Sequence, residues 1–161
     1  MPFDWKEYLE LAKEQRKSIP AGNVTIDDKI QAKLRCAISR AYYAVFILAR
    51  EYLCDIENDP NLTLVARQKA GESVNQRELR EAENALRSVH TYVQKCFKAS
   101  QGLSKTDSIR QEVSKALREL SDERQEADYE SDYQPKVATL DKQIHDAEKA
   151  LKQIEQLQSP K

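Results

Sequence analysis

The sequence predicts an all-α fold, an up-and-down antiparallel bundle of about five helices in a single domain covering residues 1–161. Apolar residues recur every three or four positions through most of the chain, which is the spacing of one helix face. No segment alternates apolar and polar residues as a half-buried strand does. The chain contains only three glycines and five prolines, so few positions interrupt its helices.

The least polar long segment, residues 35–53, predicts the central helix of the bundle. Its apolar side chains cover more than one helix face, so several neighbouring helices are expected to pack against it. We expect this second helix to run from about Ile26 to Cys54, a length of roughly 45 Å. Its inward stripe consists of Leu34, Ile38, Ala41, Val45, Leu48 and Tyr52, and it is widened by Tyr42, Phe46, Ala49 and Leu53.

The starts of the first two helices are assigned to side-chain caps. Asp4 is expected to accept a hydrogen bond from the amide of Glu7, and the first helix is expected to end at Ser18. A turn-forming cluster at residues 20–23 follows. Thr25 is the expected N-cap of the second helix.

After the central helix, residues 55–75 predict an irregular excursion with at most a short helix. Residues 76–99 predict a third helix, and a fourth is expected to begin at about Asp107. The C-terminal helix is expected over residues 134–158, with Pro135 in its first turn. Its apolar residues form a narrow seam with a seven-residue spacing. The seam either packs within the monomer, which is the favoured interpretation, or pairs with a second chain.

Charge and hydropathy exclude several classes of protein. The formal net charge of −1 provides no global positive field for coating nucleic acid or an anionic membrane. Arg40 and Arg50 interrupt the longest apolar run, so no membrane-spanning helix is expected. The first residues lack the basic and apolar segments of a secretion signal, and we therefore expect a cytoplasmic location.

The cysteines and histidines do not predict a metal centre. Cys36, Cys54 and Cys96 are widely spaced in apolar helical settings, which favours reduced core thiols. Neither His90 nor His145 lies at a ligand spacing from any of them. No metal and no cofactor are expected.

A polar group, Ser39, Arg40 and Tyr43, interrupts the apolar central segment. Arg40 and Tyr43 are three residues apart and can present a cation and a phenol from one helical turn. This pair is suited to an RNA phosphate, because the guanidinium fork matches phosphate geometry. In the alternative, which we favour, Arg40 pairs with a carboxylate of another helix and Tyr43 packs with its hydroxyl satisfied.

The run Ile-Ser-Arg-Ala-Tyr-Tyr-Ala-Val-Phe at residues 38–46 resembles the signature helix of the HEPN family. The resemblance extends to Arg124 followed by Ala-Asp-Tyr at residues 127–129. It implies a small helical domain of the kind found in prokaryotic toxin–antitoxin and RNA-processing systems. In this family an arginine followed by about four to six residues and a histidine forms an RNase motif, in which histidine is a suitable acid or base. Two protomers join these motifs across a dimer interface and cleave RNA without a metal.

Arg124 matches the arginine of this motif, but Tyr129 stands five residues on and no histidine follows at a permitted spacing. Tyrosine has an ordinary pKa near 10 and is poorly suited to proton transfer at neutral pH. The sequence is similar to a non-catalytic branch of the family. Asp128 is expected to pair with Arg124 within the helix or to reach Arg40 across the helix interface. His90 and His145 are interpreted as ordinary helical residues outside the site.

The expected function is therefore that of a HEPN-like interaction or regulatory module of a toxin–antitoxin or stress-response system. The candidate polar cluster consists of Ser39, Arg40, Tyr43, Arg124, Asp128 and Tyr129. The resemblance implies a homodimer, a nucleotidyltransferase-like protein as a second partner, and RNA or a nucleotide as a ligand.

Two alternatives to this function stay open. The chain is a metal-independent RNase toxin that uses Arg124 and Tyr129, with Arg40 contributing, or the polar cluster only braces the bundle. The missing histidine argues against an enzyme.

Overall fold

In a computed structural model, residues 4–22, 25–98 and 104–159 are described, and all of their regular structure is helical. The all-α prediction is confirmed, but these residues form seven α-helices and a π-helical turn, where about five helices were expected. The helices are α1 (Glu7–Lys17), α2 (Asp28–Glu51), α3 (Pro60–Lys69), α4 (Gln76–Ala85), α5 (Val89–Lys98), α6 (Lys105–Tyr129) and α7 (Val137–Gln158).

The central position of α2 follows from its apolar surface. Helices α1, α6 and α7 all pack against it, and α5 makes a smaller contact. Its buried alanines are completely inaccessible to solvent and let neighbouring backbones approach closely, while larger apolar residues fill the remaining space. These alanines are Ala37, Ala41, Ala44 and Ala49.

Both predicted caps differ from the observed ones. The α2 N-cap is Asp27, whose carboxylate accepts a hydrogen bond from the Ile30 amide at 2.8 Å, and Thr25 lies outside the helix. Aspartate is a stronger N-cap than threonine, which accounts for the shift. In α1 the Asp4 carboxylate accepts from the amide of Lys6 at 3.0 Å, while the Glu7 amide donates to the Asp4 main-chain oxygen at 3.1 Å.

The end of α2 widens into a π-helical turn, Tyr52–Ile56, in which the amide of Glu57 donates to the Tyr52 carbonyl at 3.2 Å. Asn58 then adopts a left-handed conformation with a φ of 53°, which asparagine tolerates better than most residues. Asp59 caps the next helix by accepting from the amides of Asn61 and Leu62. The predicted excursion at residues 55–75 therefore contains the ten-residue α3.

The helix predicted over residues 76–99 is divided into α4 and α5 by a turn at residues 86–88. Helix α4 packs against α3, whereas α5 packs against α6 and α2. One straight helix cannot pack against neighbours that lie in different directions. Tertiary packing therefore divides the helix that the continuous apolar spacing predicted. The expected last residue of that helix, Ala99, and the Asn23 of the predicted turn lie outside the described residues.

Helices α6 and α7 pack against each other and against α2. Ser104 begins α6 through a reciprocal capping box with Asp107, so the helix begins slightly earlier than expected. Lys136 is the N-cap of α7, which places Pro135 before the helix and not in its first turn. One row of the α7 seam is buried within this chain, since Leu140, Ala147 and Ile154 have no exposed surface, whereas Val137 and Ile144 of the other row are half-buried.

Arg35 of α2 fixes the end of α6 and the segment that follows it. Its guanidinium donates to the carbonyls of Ala127 at 2.9 Å, Glu130 at 3.0 Å and Ser131 at 3.2 Å. A further hydrogen bond goes to the carbonyl of Tyr133, whose ring also lies 6.0 Å from the guanidinium carbon. The carbonyls at a helix end have no partner within the helix, and Arg35 supplies one from another helix.

The cysteines and the hydropathy of the helices were both subjects of prediction from composition. Cys36, Cys54 and Cys96 are free, as predicted, but they are only half-buried, and Cys54 and Cys96 pack against the edge of the core. None of the helices in the described part of the chain has the length and hydropathy needed to cross a membrane.

We predict that Arg35→Met lowers the free energy of unfolding by about 2–4 kcal/mol, because several carbonyls lose a charged donor. Arg35→Lys should recover only part of this loss, since an ammonium cannot reproduce the planar fork. Urea denaturation measures the effect. The control is Arg77→Met, because the Arg77 side chain is 89% exposed in α4. Equal stability of the Arg35→Met and Arg77→Met variants would contradict the structural role of Arg35.

Candidate functional site

A cluster of polar and aromatic side chains lies where α2, α5 and α6 meet. It contains five of the residues that the sequence singled out, together with two that it did not assign to a site. We call this group the α2–α6 cluster, and its members are Ser39, Tyr42, Tyr43, His90, Arg124, Asp128 and Tyr129.

Arg124 occupies the centre of the cluster and is only 5% exposed. Its guanidinium carbon lies 5.2 Å from the ring centroid of Tyr42, 5.8 Å from that of Tyr43 and 5.7 Å from that of Tyr129. Such distances give favourable cation–π contacts. The sequence left open whether Arg124 contributes to RNA cleavage or braces the bundle, and the fold surrounds it with aromatic rings.

Asp128 connects Arg124 to α2. Its Oδ2 lies 3.5 Å from Nη1 of Arg124, one of the two pairings that the sequence predicted. The same oxygen accepts a hydrogen bond from the Ser39 hydroxyl at 3.3 Å. The contact across the helix interface is therefore made by Ser39, and not by Arg40.

Arg40 is half-buried and makes no hydrogen bond or ion pair with any described residue. A carboxylate partner on another helix was expected for Arg40, and such a partner is not found within residues 4–22, 25–98 and 104–159. Arg40 follows Ser39 directly in the chain, so it lies beside the cluster without joining it.

His90 enters the cluster from the first turn of α5. Its Nδ1 lies 2.5 Å from the Tyr42 hydroxyl, and its ring centroid is 4.3 Å from that of Phe46. Burial raises the pKa of Tyr42 to about 12, so the phenol keeps its proton in the hydrogen bond that it shares with the imidazole. Burial, followed by the charges of Arg124 and Arg50, lowers the pKa of His90 below its ordinary value of 6.5.

His90 was expected to lie outside the site, because it is far from Arg124 in the chain and does not belong to an arginine–histidine motif. The fold brings both side chains onto Tyr42. The sequence around His90 does not predict this contact. The position of His90 depends on the turn at 86–88, which directs α5 toward α2 and α6. His145 is exposed on α7, as predicted.

Tyr129 stands at the edge of the cluster with 74% of its surface exposed. It occupies the sequence position where the resemblance implies a histidine. Its exposed ring covers one side of the Arg124 guanidinium, while Tyr42 is almost fully buried beneath the same group. The cluster thus combines a buried cation, a neutral imidazole and an exposed phenol.

The Nε of Arg124 is buried and has no hydrogen-bond partner among the described residues. A buried donor without a partner costs free energy, and here the surrounding rings compensate only for the charge. Within the same residues, no group of histidine, cysteine, aspartate and glutamate side chains is arranged to hold a metal ion.

A cavity lies beside the cluster and shares none of its residues. It has a volume of about 570 Å³ and is located between the end of α2 and the α3–α4 hairpin. Arg50 lines this cavity, and its guanidinium carbon is 6.0 Å from the ring of Phe46, which also contacts His90. The remaining wall is mostly apolar, with Leu62, Val65, Leu86 and Val89 among its residues.

Neither protein-family models, nor curated proteins, nor solved structures give a match to this chain.

The His90 environment predicts a specific dependence of stability on pH. In the unfolded chain the imidazole binds a proton at its ordinary pKa of 6.5, whereas the folded protein resists protonation. The stability that neutral His90 contributes is therefore complete above pH 6.5 and decreases as the pH falls through 6.5 toward the lower folded pKa. Urea denaturation between about pH 5 and pH 8 measures this decrease.

The His90→Gln variant should lose this component of the decrease in stability, because glutamine does not titrate. The matched control is His145→Gln, which changes an exposed residue on α7 and should retain the component that belongs to His90. Identical pH profiles for wild type and His90→Gln would contradict the proposed environment of the imidazole.

Proposed function

We propose that this chain is a HEPN-like helical interaction module in which the α2–α6 cluster holds the bundle together and does not cleave RNA. The observation that carries this proposal is the burial of Arg124. A guanidinium that is 5% exposed and lies against three aromatic rings is poorly placed to stabilise charge on a phosphate in solvent.

The surrounding proton-transfer groups support the same conclusion. Tyr129 is exposed, and it stands at the position of the motif where a histidine would be needed. The Nδ1 of His90 is already engaged with the Tyr42 hydroxyl. Cleavage would therefore require the imidazole to act through its other nitrogen, while Arg124 would have to leave the aromatic rings.

A role in protein association fits the exposed edge of the cluster. Tyr129 is 74% exposed, and Arg40 is half-buried without an ion-pair partner in the described residues. Arg40 follows Ser39 in the chain, and Tyr129 follows Asp128. The hydrogen bond between Ser39 and Asp128 joins α2 to α6 and so brings Arg40 and Tyr129 to the same edge. Tyrosine and arginine are enriched among the residues that dominate binding energy at protein interfaces.

We assign this edge to contact between two copies of the chain. The resulting homodimer would act in the cytoplasm as a regulatory component of a toxin–antitoxin or stress-response system. A nucleotidyltransferase-like protein is the expected second partner, on the basis of the resemblance of residues 38–46 and 124–129 to HEPN sequences.

The second candidate is a metal-independent RNase, and the position of His90 is the observation that favours it. The fold places an imidazole and Arg124 against the same Tyr42 ring, although the sequence motif lacks a histidine. In this candidate His90 takes the role of the missing acid or base, and Arg124 and Tyr129 contact the phosphate.

Incubation of the purified chain with total RNA, with and without EDTA, separates these candidates. We expect no cleavage by the wild type and a loss of stability of about 2–4 kcal/mol in Arg124→Ala, because Asp128 and three rings lose their cation. Arg118→Ala, an exposed arginine of the same helix, is the control. Cleavage that survives EDTA, persists in Arg118→Ala and disappears in both Arg124→Ala and His90→Gln would establish the RNase candidate.

The solution mass, measured by light scattering over a range of concentrations, tests the homodimer. We expect the Arg40→Ala/Tyr129→Ala double variant to weaken dimerisation at least about tenfold, as interface positions of this type do. Ile56→Ala is the control, since it removes a 52% exposed apolar side chain near the other end of α2. A monomeric wild type, or equal weakening in the control, would count against this interface.

A further inference from the structure

The cavity between the end of α2 and the α3–α4 hairpin has no part in the proposed function. We call it the hairpin cavity, and its volume of about 570 Å³ lies within the size range of small-molecule sites. Among the described residues, α4 packs against α3 and makes no comparable contact with α2, so space is left between them. The apolar wall includes Leu62, Val65, Leu86 and Val89, of which all but Leu62 are only half-buried. This wall offers apolar surface to a ligand.

Arg50 contributes a cation to the lining of the hairpin cavity. The residue is half-buried and has no hydrogen bond or ion pair with any described residue. Its guanidinium carbon lies 6.0 Å from the ring centroid of Phe46, which attracts the charge but leaves the N–H donors without acceptors. A carboxylate matches the fork of these donors and is their strongest complement.

Glu51 contributes an anion to the same lining and is also half-buried. Its Oε1 accepts a hydrogen bond from Nε1 of Trp5 at 2.6 Å, but the carboxylate has no ion pair with a described residue. Burial raises the pKa of Glu51 above its ordinary value, and the Trp5 hydrogen bond and the charge of Arg50 offset this only in part. A positively charged N–H donor would therefore stabilise this carboxylate.

The other charged residues of the lining, Asp55, Lys69 and Glu83, are exposed to solvent. Water screens exposed charges, so these three contribute less to the binding of a ligand than the half-buried pair. Asp55 lies one helical turn beyond Glu51 and adds to the negative charge on that side of the cavity. The hairpin cavity thus combines an apolar wall with one half-buried cation and one half-buried anion.

We propose that the hairpin cavity binds an α-amino acid with a large apolar side chain. The ligand carboxylate accepts hydrogen bonds from Arg50, its ammonium group donates to Glu51, and its side chain covers the apolar wall. An α-amino acid carries both charges on one carbon atom, and consecutive residues of α2 supply the two opposite charges. A ligand with a single charge would leave either Arg50 or Glu51 without a partner. This inference is independent of the proposed function, since the cavity shares no residue with the α2–α6 cluster.

Calorimetric titration of the full chain with L-phenylalanine and three analogues tests the proposal. Phenylpropanoate lacks the ammonium group, phenethylamine lacks the carboxylate, and glycine lacks the apolar side chain. We expect phenylalanine to bind about tenfold more tightly than phenylpropanoate or phenethylamine, because each analogue loses one charge-assisted hydrogen bond. Glycine should not bind measurably, since it cannot cover the wall.

Two variants assign the ligand charges to their partners. Arg50→Met should weaken the binding of phenylalanine about tenfold and leave phenethylamine unchanged, because it removes only the partner of the carboxylate. Glu51→Gln should weaken phenylalanine to a similar extent and leave phenylpropanoate unchanged. The matched controls are Arg80→Met and Glu78→Gln, which remove the same charges from exposed positions of α4 outside the lining and should bind phenylalanine as the wild type does.

A third variant tests whether the ligand occupies the cavity itself. Ala66 is an exposed residue of the lining, so Ala66→Phe adds bulk at the opening without filling the core. This variant should melt within a few degrees of the wild type and bind phenylalanine at least about tenfold more weakly. Ala85→Phe, at an exposed position outside the lining, is the control and should bind normally.

The same titrations contain the results that would overturn the proposal. These are the absence of phenylalanine binding by the wild type, or weakening by Arg80→Met or Glu78→Gln as large as that by Arg50→Met or Glu51→Gln. Phenylpropanoate that binds as tightly as phenylalanine would assign the cavity to an apolar carboxylate instead. Phenethylamine that binds as tightly as phenylalanine would assign it to an apolar amine.

Discussion

The burial of α2 is the constraint on which the remainder of this structure depends. Four alanines of this helix have no exposed surface, so the surrounding helices approach its backbone closely. Such close packing leaves little space for water, and polar groups at the contact must find partners within the protein. The few polar side chains of α2 must therefore be paired with groups on the neighbouring helices, and these pairs fix how the helices are arranged.

Two arginines satisfy this constraint between α2 and α6 in different ways. Arg35 extends from α2 and gives its donors to the carbonyls at the end of α6. Arg124 extends from α6 and places its charge against the tyrosine rings of α2 and beside Asp128. The Arg35 contact holds the end of α6. The Arg124 contact places a buried charge beside Asp128 and the rings of α2. Both contacts therefore join α2 to α6.

Tyr42 connects these structural contacts to the question of activity. Its ring lies against Arg124 and its hydroxyl shares a hydrogen bond with His90, so one side chain engages both groups that could act on a phosphate. Arginine, tyrosine and histidine are common catalytic residues, but here the arginine is buried and one imidazole nitrogen is occupied. Burial and the nearby arginines keep the imidazole neutral, which supports the interpretation of the cluster as a brace.

Periodicity in the sequence determined the class of the fold and the identity of its central helix, because an apolar stripe as wide as that of α2 must be covered from several directions. It also located the buried face of α7 and the pairing of Arg124 with Asp128, which depend on spacing within one helix. The turn at residues 86–88 and the environment of His90 were decided by tertiary structure. They depend on the neighbours that α4 and α5 meet, and spacing within a helix carries no information about contacts between distant segments. The same reason explains why Arg35 was overlooked, since its acceptors lie more than ninety residues away in the chain.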